Sequence, residues 1–278
     1  MRCRFDQQHS ENLIGTFSSF LVMNLKNRLS AAGVHLSISL VIAALAWTLV
    51  SSFLYPYPFT EISGGRQLFV LLVTVDIVLG SMLTFSVFSA GKLRRVLIRD
   101  LMVIGALQLS ALGYGLWTMY VARPVFLVHE VDRFKVVTAA DLDESDLREA
   151  PLLFRQLPMS GVQTIGIRQA RDSADKLRSL DLELAGKELS LQTGWWQPLS
   201  EDNRISMRQH AKPIQLLRQK AVDGSTKIDQ LLRTANVSDD EAIALPLLTR
   251  FASWSVVLDK RDLKIIGYLP IDLFYSLL

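Results

Sequence analysis

The sequence predicts a membrane protein in which a three-helix transmembrane module is followed by an α+β domain outside the membrane. Three observations support this fold class. Nearly all long uncharged runs of the 278-residue chain fall within residues 34–121, whereas residues 123–278 mix polar and apolar positions as a water-soluble domain does. The Lys and Arg residues of the first part lie in short segments beside the apolar runs. The second part is long enough to bury its own hydrophobic core.

The N-terminal part contains three apolar runs. They predict spans at about residues 34–54, 68–90 and 101–121, within a module of residues 29–122. The first run holds no charged side chain over about 21 residues, which form a helix of about 31 Å, enough to cross the hydrocarbon core. The segment YPYPFTEISGG follows this run. Its two prolines and two glycines predict a tight loop, and Tyr55 and Tyr57 suit a membrane–water interface.

Residues 1–28 are a predicted cytoplasmic tail of mixed polarity. Met23 begins a short basic segment followed by an apolar run, which is the pattern of a signal-anchor. We therefore expect the native chain to start at Met23, which would leave Cys3 and His9 outside it.

The orientation follows from the basic residues of the short connections. Lys26 and Arg28 precede the first span, and only Arg66 lies between the first and second. A basic connection joins the second and third spans and consists of Lys92, Arg94, Arg95 and Arg99. Both basic segments belong on the cytoplasmic side. Three spans then place the N-terminus inside and residues 123–278 outside.

The polar half combines strands and helices. The segment PVFLVHEVDRFKVVTAADL predicts a strand or hairpin from residue 124, and WSVVLDKRDLKIIGYL predicts a second hairpin near the C-terminus. Helical spacing of apolar residues predicts a helix over residues 170–184 that ends at Gly186. Pro213 opens a short predicted helix through Lys220, and Ser225 caps another. Strands and helices in separate runs favour an α+β fold.

Charge and motifs exclude several classes of function. Residues 123–278 hold 21 Lys+Arg against 22 Asp+Glu, and residues 1–122 hold 9 against 5, so the basic excess is juxtamembrane and does not predict nucleic-acid binding. The single cysteine allows no intramolecular disulfide. No signature of a hydrolase, zinc protease, redox protein or nucleotide-binding loop occurs, so we predict no catalytic residue, cofactor, metal or small-molecule substrate.

Asp76 is the most informative residue of the predicted module, because a carboxylate within a span is costly and normally faces protein. Its depth matches that of Tyr114 on the third span and Thr48 on the first. One interpretation is a hydrogen bond from Asp76 to Tyr114 or Thr48 that ties the helices together. The other is docking of a client protein's transmembrane segment. Gln108 is predicted to join helices in the same way.

Two further features bear on binding. The third span carries a small-residue surface, which predicts either close packing within the module or a groove for a client helix, and consists of Gly105, Ala106, Ser110, Ala111, Gly113 and Gly115. In the polar half, Trp195 and Trp196 lie between Gly194 and Pro198. They form either a contact surface for a partner, a plug in the core, or a contact with the membrane.

The stretch from Gly64 to Val137 resembles the TfpX/TfpZ-type family of type IV pilin accessory proteins. The residues that carry the resemblance are Gly64-Gly65, VDIVLG at 75–80, Lys92, Arg99-Asp100, QLSALGYGL at 108–116, RPV at 123–125, DRF at 132–134 and Val136-Val137. Weaker likeness extends over most of residues 28–272. One departure is Ser81, where the family usually carries proline.

The resemblance implies a multi-pass protein of the bacterial inner membrane with a periplasmic α+β domain and a cytoplasmic N-terminus. It implies support of pilin stability or pilus assembly, with the type IV major pilin and the lipid bilayer as partners, and brings no catalytic residues. The alternative is a membrane-anchored periplasmic sensor or enzyme. A sensor would need a cytoplasmic output domain, and the predicted tail and connection are too short for one.

Overall fold

The computed structural model describes residues 2–88, 91–220, 225–250 and 253–273, with side chains from Leu25 onwards. Cys3, His9 and Met23, which concern the predicted start of the chain, lie outside the described side chains. The chain divides into two compact units. The first, the helical unit, comprises Met1–Leu49 and Leu68–Thr118. The second, the sheet unit, comprises Val50–Gln67 and Met119–Leu278.

The N-terminal half is helical. Its helices are α1 Arg2–Leu49, α2 Phe59–Ile62, α3 Gly65–Val87 and α4 Arg94–Val121. Among the residues whose side chains are described, three segments are long and apolar enough to cross a membrane, namely Leu25–Leu54, Gly65–Val87 and Arg94–Val121. These confirm the three predicted apolar helices, although each boundary differs. Helix α1 continues the first span toward the N-terminus because no proline interrupts the segment before residue 34, and Ser89 and Ala90 lie outside the described residues.

The segment between α1 and α3 is more than the tight loop that its composition predicts. A π-helical turn, Val50–Leu54, leads into Tyr55, which is fully buried and donates its hydroxyl proton to the carbonyl oxygen of Met119 at 3.1 Å. The interface position predicted for Tyr55 is therefore wrong, whereas Tyr57 is exposed. The short helix α2 follows, and its Phe59 and Ile62 are buried within the sheet unit.

The sheet unit contains an eight-stranded mixed sheet. Its order is β4-β3-β1-β2-β6-β7-β8, with β5 paired to β6. Parallel pairs join β1 to β3 and β2 to β6, and the remaining neighbours are antiparallel. The strands are β1 Pro124–His129, β2 Phe134–Thr138, β3 Gln163–Ile167, β4 Trp196–Gln197, β5 Lys212–Pro213, β6 Ala242–Leu248, β7 Ser253–Asp259 and β8 Ile265–Leu269.

Both predicted hairpins are confirmed. The first pairs β1 with β2, and the second pairs β7 with β8. The predicted helices are also present, although Pro213 lies in β5 and its helix begins at the next residue. Besides α2, the α-helices that the structure describes after α4 are α5 Glu144–Glu149, α6 Ser173–Leu184, α7 Glu201–His210, α8 Ile214–Lys220 and α9 Ser225–Ala235.

Both faces of the sheet are covered. Successive residues of a strand point to opposite faces, so one strand contributes side chains to both. On β6, Leu245 and Leu247 pack on one face, whereas Ala242 and Ala244 pack on the other. The first face is covered by α2 and by Met207 of α7. The second face is covered near β6–β8 by α8 and α9, and near β1–β3 by a separate aromatic cluster. The connection between the first two apolar helices thus belongs to the hydrophobic core of the sheet unit.

Candidate functional site

The helical unit joins α1 to α3 through two contacts. His35 Nδ1 and Thr84 Oγ1 share a hydrogen bond of 2.9 Å. Further along the same pair, the rings of Trp47 and Phe69 lie 5.0 Å apart. Polar groups within spans commonly join helices in this way, since lipid offers them no alternative partner. His35 is therefore a contact between α1 and α3.

Helices α3 and α4 are joined by Gln108. Its side-chain amide donates to the main-chain carbonyl oxygen of Asp76 at 3.0 Å. A Cβ at Gly80 would collide with this amide, so glycine leaves the space that Gln108 occupies. Nearby, Leu72 of α3 fills the space beside Gly115 of α4 in the same manner. Close approach at small residues is the usual packing of transmembrane helices.

The hydrogen bond predicted from the Asp76 side chain to Tyr114 or Thr48 is not the one formed. Tyr114 is 74% exposed, and Thr48 donates to the carbonyl oxygen of Ala44 within its own helix at 2.9 Å. Depth in a span follows from residue number, but the rotation of each helix does not, and Tyr114 faces away from α3. The Asp76 side chain itself is half-buried.

A cleft of about 510 Å³ opens among the three long helices near the start of α4. The His35–Thr84 pair lies in its wall, and the rest of the wall mixes apolar and small polar groups. The lining residues are Asn27, Ser30, Ala31, Val34, His35, Ile38, Thr84, Phe88 and Leu101. An apolar chain with an occasional hydrogen-bonding group would fit such a wall.

Part of the small-residue surface of α4 packs against α3, and part of it is exposed. Gly115 meets α3, whereas no neighbouring atom lies near a Cβ placed at Gly105 or Gly113. Ala106 and Ser110 are exposed on the outer side of α4. Part of the predicted surface is therefore open to a bilayer or to another helix.

The basic connection between α3 and α4 is exposed. Lys92 donates to Asp100 at 3.1 Å and to the carbonyl oxygen of Val87 at 3.0 Å. Arg99 lies 3.6 Å from the same carboxylate. Arg94 and Arg95 are exposed at the start of α4. The connection therefore keeps a net positive charge at this end of the helical unit.

Of the three interpretations of Trp195 and Trp196, the structure supports the plug in the core and contradicts the exposed contact surface. Both side chains are buried in the aromatic cluster on the second face of the sheet. The Trp196 indole donates to the carbonyl oxygen of Ser190 at 2.9 Å and packs 4.8 Å from Phe126. The Arg168 guanidinium covers the Trp195 ring at 4.1 Å. The pair fills the core, because a core position satisfies both the large ring area and the indole donor.

Helix α6 presents an apolar surface that sequence reasoning missed. Leu177, Leu180 and Leu184 recur along one face and are exposed, Leu184 by 80% of its surface. The buried residue of this helix is Ser179, whose carbonyl oxygen accepts from the Gln192 side chain at 3.1 Å. The N-terminus of α6 is held by a two-pronged pair between Arg168 and Asp175. Polar contacts therefore decide which side of α6 faces the sheet unit.

His129 is a buried histidine that sequence reasoning also missed. It ends β1, its ring packs 5.1 Å from Phe134, and no described residue bonds to either ring nitrogen. Burial, with a smaller contribution from His210, lowers the pKa of His129 from 6.5 to about 4. The imidazole is therefore neutral at neutral pH. Among the described residues, no three His, Cys, Asp or Glu side chains converge to hold a metal ion.

Comparison with known proteins adds a direct functional indication. The family described as Fimbrial assembly protein FimB matches residues 23–64, which include α2. The Fimbrial assembly protein, serogroup I, of Dichelobacter nodosus is 32% identical over 91% of this chain and 99% of its own length. The serogroup E1 protein of the same organism is 30% identical over the same shares. The protein of serogroups C1 and C2 is 36% identical over 46% of this chain and all of its own length. No solved structure matches the chain.

Proposed function

Because the chain belongs to the family of fimbrial assembly proteins, we propose that it is an accessory protein of the bacterial inner membrane that supports type IV pilus assembly by binding the major pilin. The observation that carries the proposal is the similarity to fimbrial assembly proteins along almost the whole length of both chains. The proposed action is that of a membrane chaperone or assembly factor and involves no catalysis.

The placement in the membrane rests on two arguments. The exposed basic connection of Lys92, Arg94, Arg95 and Arg99 favours the cytoplasm for that end of the helices. Three crossings would then put the segment with α2 and the chain after α4 on the same, periplasmic side. The packing of Phe59 and Ile62 within the sheet unit supports this, since both parts must share one compartment to form one core.

The proposed binding mode has two parts because a pilin offers an apolar helix and a soluble head. The cleft beside the His35–Thr84 pair and the open side of α4 provide surfaces on which an apolar helix could lie within the bilayer. Asp76 and Gln108 lie on the facing helices of the same unit. The sheet unit would contact the pilin head. A binding role requires no converging catalytic groups.

The test begins with deletion of the gene in its native host, followed by an immunoblot for pilin and a count of surface pili. We expect lower pilin levels or fewer pili, restored by the wild-type gene. Unchanged pilin and pili would refute the proposal.

A second experiment tests contact with pilin by placing a photo-crosslinking amino acid at single positions of the chain. We expect capture of pilin from position 34, because Val34 lines the cleft. The matched control is position 78, because Val78 is exposed on α3 but does not line the cleft. Equal capture from both positions would argue against the cleft as the binding surface.

A further inference from the structure

Arg123 ties a loop of the sheet unit to the end of α4. One residue, Ala122, separates it from the last residue of α4, and it is 95% buried. Its Nε and Nη2 atoms each donate to the carbonyl oxygen of Pro158 at 3.2 Å. Its Nη1 atom donates to the carbonyl oxygen of Tyr120 at 2.8 Å, and the guanidinium lies 4.1 Å from the centre of the Tyr120 ring. The carbonyl group of Pro158 is therefore held at the last turn of α4.

The loop that Arg123 holds has the sequence PLLFRQLPMSG and spans residues 151–161. Met159, directly after Pro158, is 74% exposed. Leu152, which is 80% exposed, and Leu153 precede it on a short 3-10 turn. Phe154 anchors this turn, because it is buried against Phe126 and Trp196. The loop thus presents large apolar side chains outward from a backbone fixed on its inner side.

The loop carries one basic residue, Arg155, and no acidic residue. Exposed leucine and methionine beside a cation suit the boundary between lipid headgroups and acyl chains. The exposed leucines of α6 are different, since Asp181 and Glu183 lie among them. Composition therefore favours lipid over water for the 151–161 loop.

The position of the loop leads to the same conclusion. Helix α4 has 28 residues, or about 42 Å, against a hydrocarbon core of about 30 Å. If α4 crosses the bilayer, its last turn lies in or just beyond the headgroup layer, which is roughly 5–8 Å thick on each side. Met159 is one residue from a carbonyl group in contact with Arg123, so it lies at the same level.

We propose that the 151–161 loop is a lipid-binding surface, with Met159, Leu152 and Leu153 inserted into the headgroup layer on the side of the membrane where α4 ends. The inference rests on the membrane placement in the proposed function. It does not depend on pilin.

The experiment measures depth in the bilayer with the full chain reconstituted in lipid nanodiscs. Cys3 is the single cysteine, so a Cys3→Ser background accepts one new cysteine for an environment-sensitive fluorophore. Three positions are compared. Leu109→Cys lies within α4, Met159→Cys lies in the loop, and Leu184→Cys is a control of similar exposure on α6. Nanodiscs carry spin-labelled lipids, with the label either on the headgroup or deep in the acyl chain.

We expect deep labels to quench position 109, headgroup labels to quench position 159, and neither to quench position 184. Quenching at 109 with none at 159 would overturn the lipid-binding surface and leave the membrane placement intact. A blue-shifted signal at position 159 that lipid labels do not quench would indicate that protein surrounds the fluorophore. This result would also refute the lipid-binding surface. No quenching at 109 would refute both the membrane placement and the inference.

Discussion

The side-chain amide of Gln108 donates to the main-chain carbonyl oxygen of Asp76 at 3.0 Å, in the space left by Gly80. The polar contact between α3 and α4 therefore uses the backbone of Asp76 and leaves its carboxyl group outside this bond. Structural and functional roles at position 76 can for this reason be separated by substitution.

The first prediction concerns Gly80. Gly80→Ala would displace the Gln108 amide and break its hydrogen bond, which we expect to lower the stability of the helical unit by about 0.5–1.5 kcal/mol. Thermal unfolding in detergent measures this. The matched control is Gly113→Ala, because no atom lies near a Cβ at that position. In a Gln108→Leu background the effect of Gly80→Ala should shrink, and an unchanged effect would mean that the two residues are not coupled.

The second prediction concerns the Asp76 side chain. Asp76→Asn leaves the main-chain acceptor of Gln108 in place, so we expect thermal stability to change little. If the carboxylate contributes to docking of a pilin helix, pilin levels and pilus number should nevertheless fall. Immunoblots of this protein and of pilin, with a pilus count, separate the two effects. Normal piliation by a stable Asp76→Asn protein would remove Asp76 from the binding surface.

The third prediction concerns acid stability. His129 has a pKa of about 4 in the folded state against 6.5 when unfolded. Above pH 6.5 the residue is neutral in both states and has no effect. Between pH 6.5 and 4 the unfolded chain binds a proton that the folded chain does not, so the folded state loses about 3 kcal/mol.

Replacement by an uncharged ring removes this dependence. We expect the free energy of unfolding of His129→Phe to fall less than that of the wild type as the pH decreases from 6.5 to 4, as measured by denaturant titration at each pH. His210→Phe should reduce the pH dependence only slightly, because His210 makes a smaller contribution than burial to the lowered pKa of His129. Parallel curves for wild type and His129→Phe would contradict the assignment.

The fourth prediction concerns α2. Phe59 is buried against the sheet and its ring lies 5.5 Å from that of Tyr268. Phe59→Ala should destabilise the sheet unit by about 3–5 kcal/mol, since a large ring leaves a cavity behind. Amides of β6 and β7 are expected to exchange only when the sheet unit unfolds as a whole. In the Phe59→Ala variant their hydrogen exchange should therefore accelerate at least about a hundredfold.

The control lies on the same short helix. Glu61 is exposed and makes only a surface ion pair of 3.7 Å with Arg66, so Glu61→Ala should change exchange very little. Equal acceleration of hydrogen exchange by both substitutions would indicate that the stability of the sheet unit depends on the helix itself and not on the Phe59 ring.

Local patterns predicted much of the fold. The three apolar helices follow from length and hydropathy, and the β1–β2 and β7–β8 hairpins follow from apolar runs on either side of a turn. The parallel pairings of β1 with β3 and of β2 with β6 were not predicted, because they join strands that are distant in sequence. Such non-local contacts leave no periodic signal in either strand.

The direction in which side chains point was harder to predict than the elements themselves. Spacing identified α6, yet its leucines face outward because Ser179 and the Arg168–Asp175 pair hold its other side. The adjacent tryptophans at 195 and 196 likewise left three interpretations open, of which burial in the core is the one observed. In the helical unit, Gln108 bonds to the main chain of Asp76 and not to its side chain, a detail that sequence could not give because it does not determine helix rotation.

The burial of α2 also means that residues 123–278 alone do not make up the whole core of the sheet unit. A fragment beginning at Arg123 would lack Phe59 and Ile62 and expose the apolar sheet face that they cover. The same core joins Phe59 of α2 to Val256 and Leu258 of β7, which are far from α2 in the sequence. Completion of this core therefore requires contacts between residues distant in sequence, and biochemical work on residues 123–278 needs α2 supplied with them.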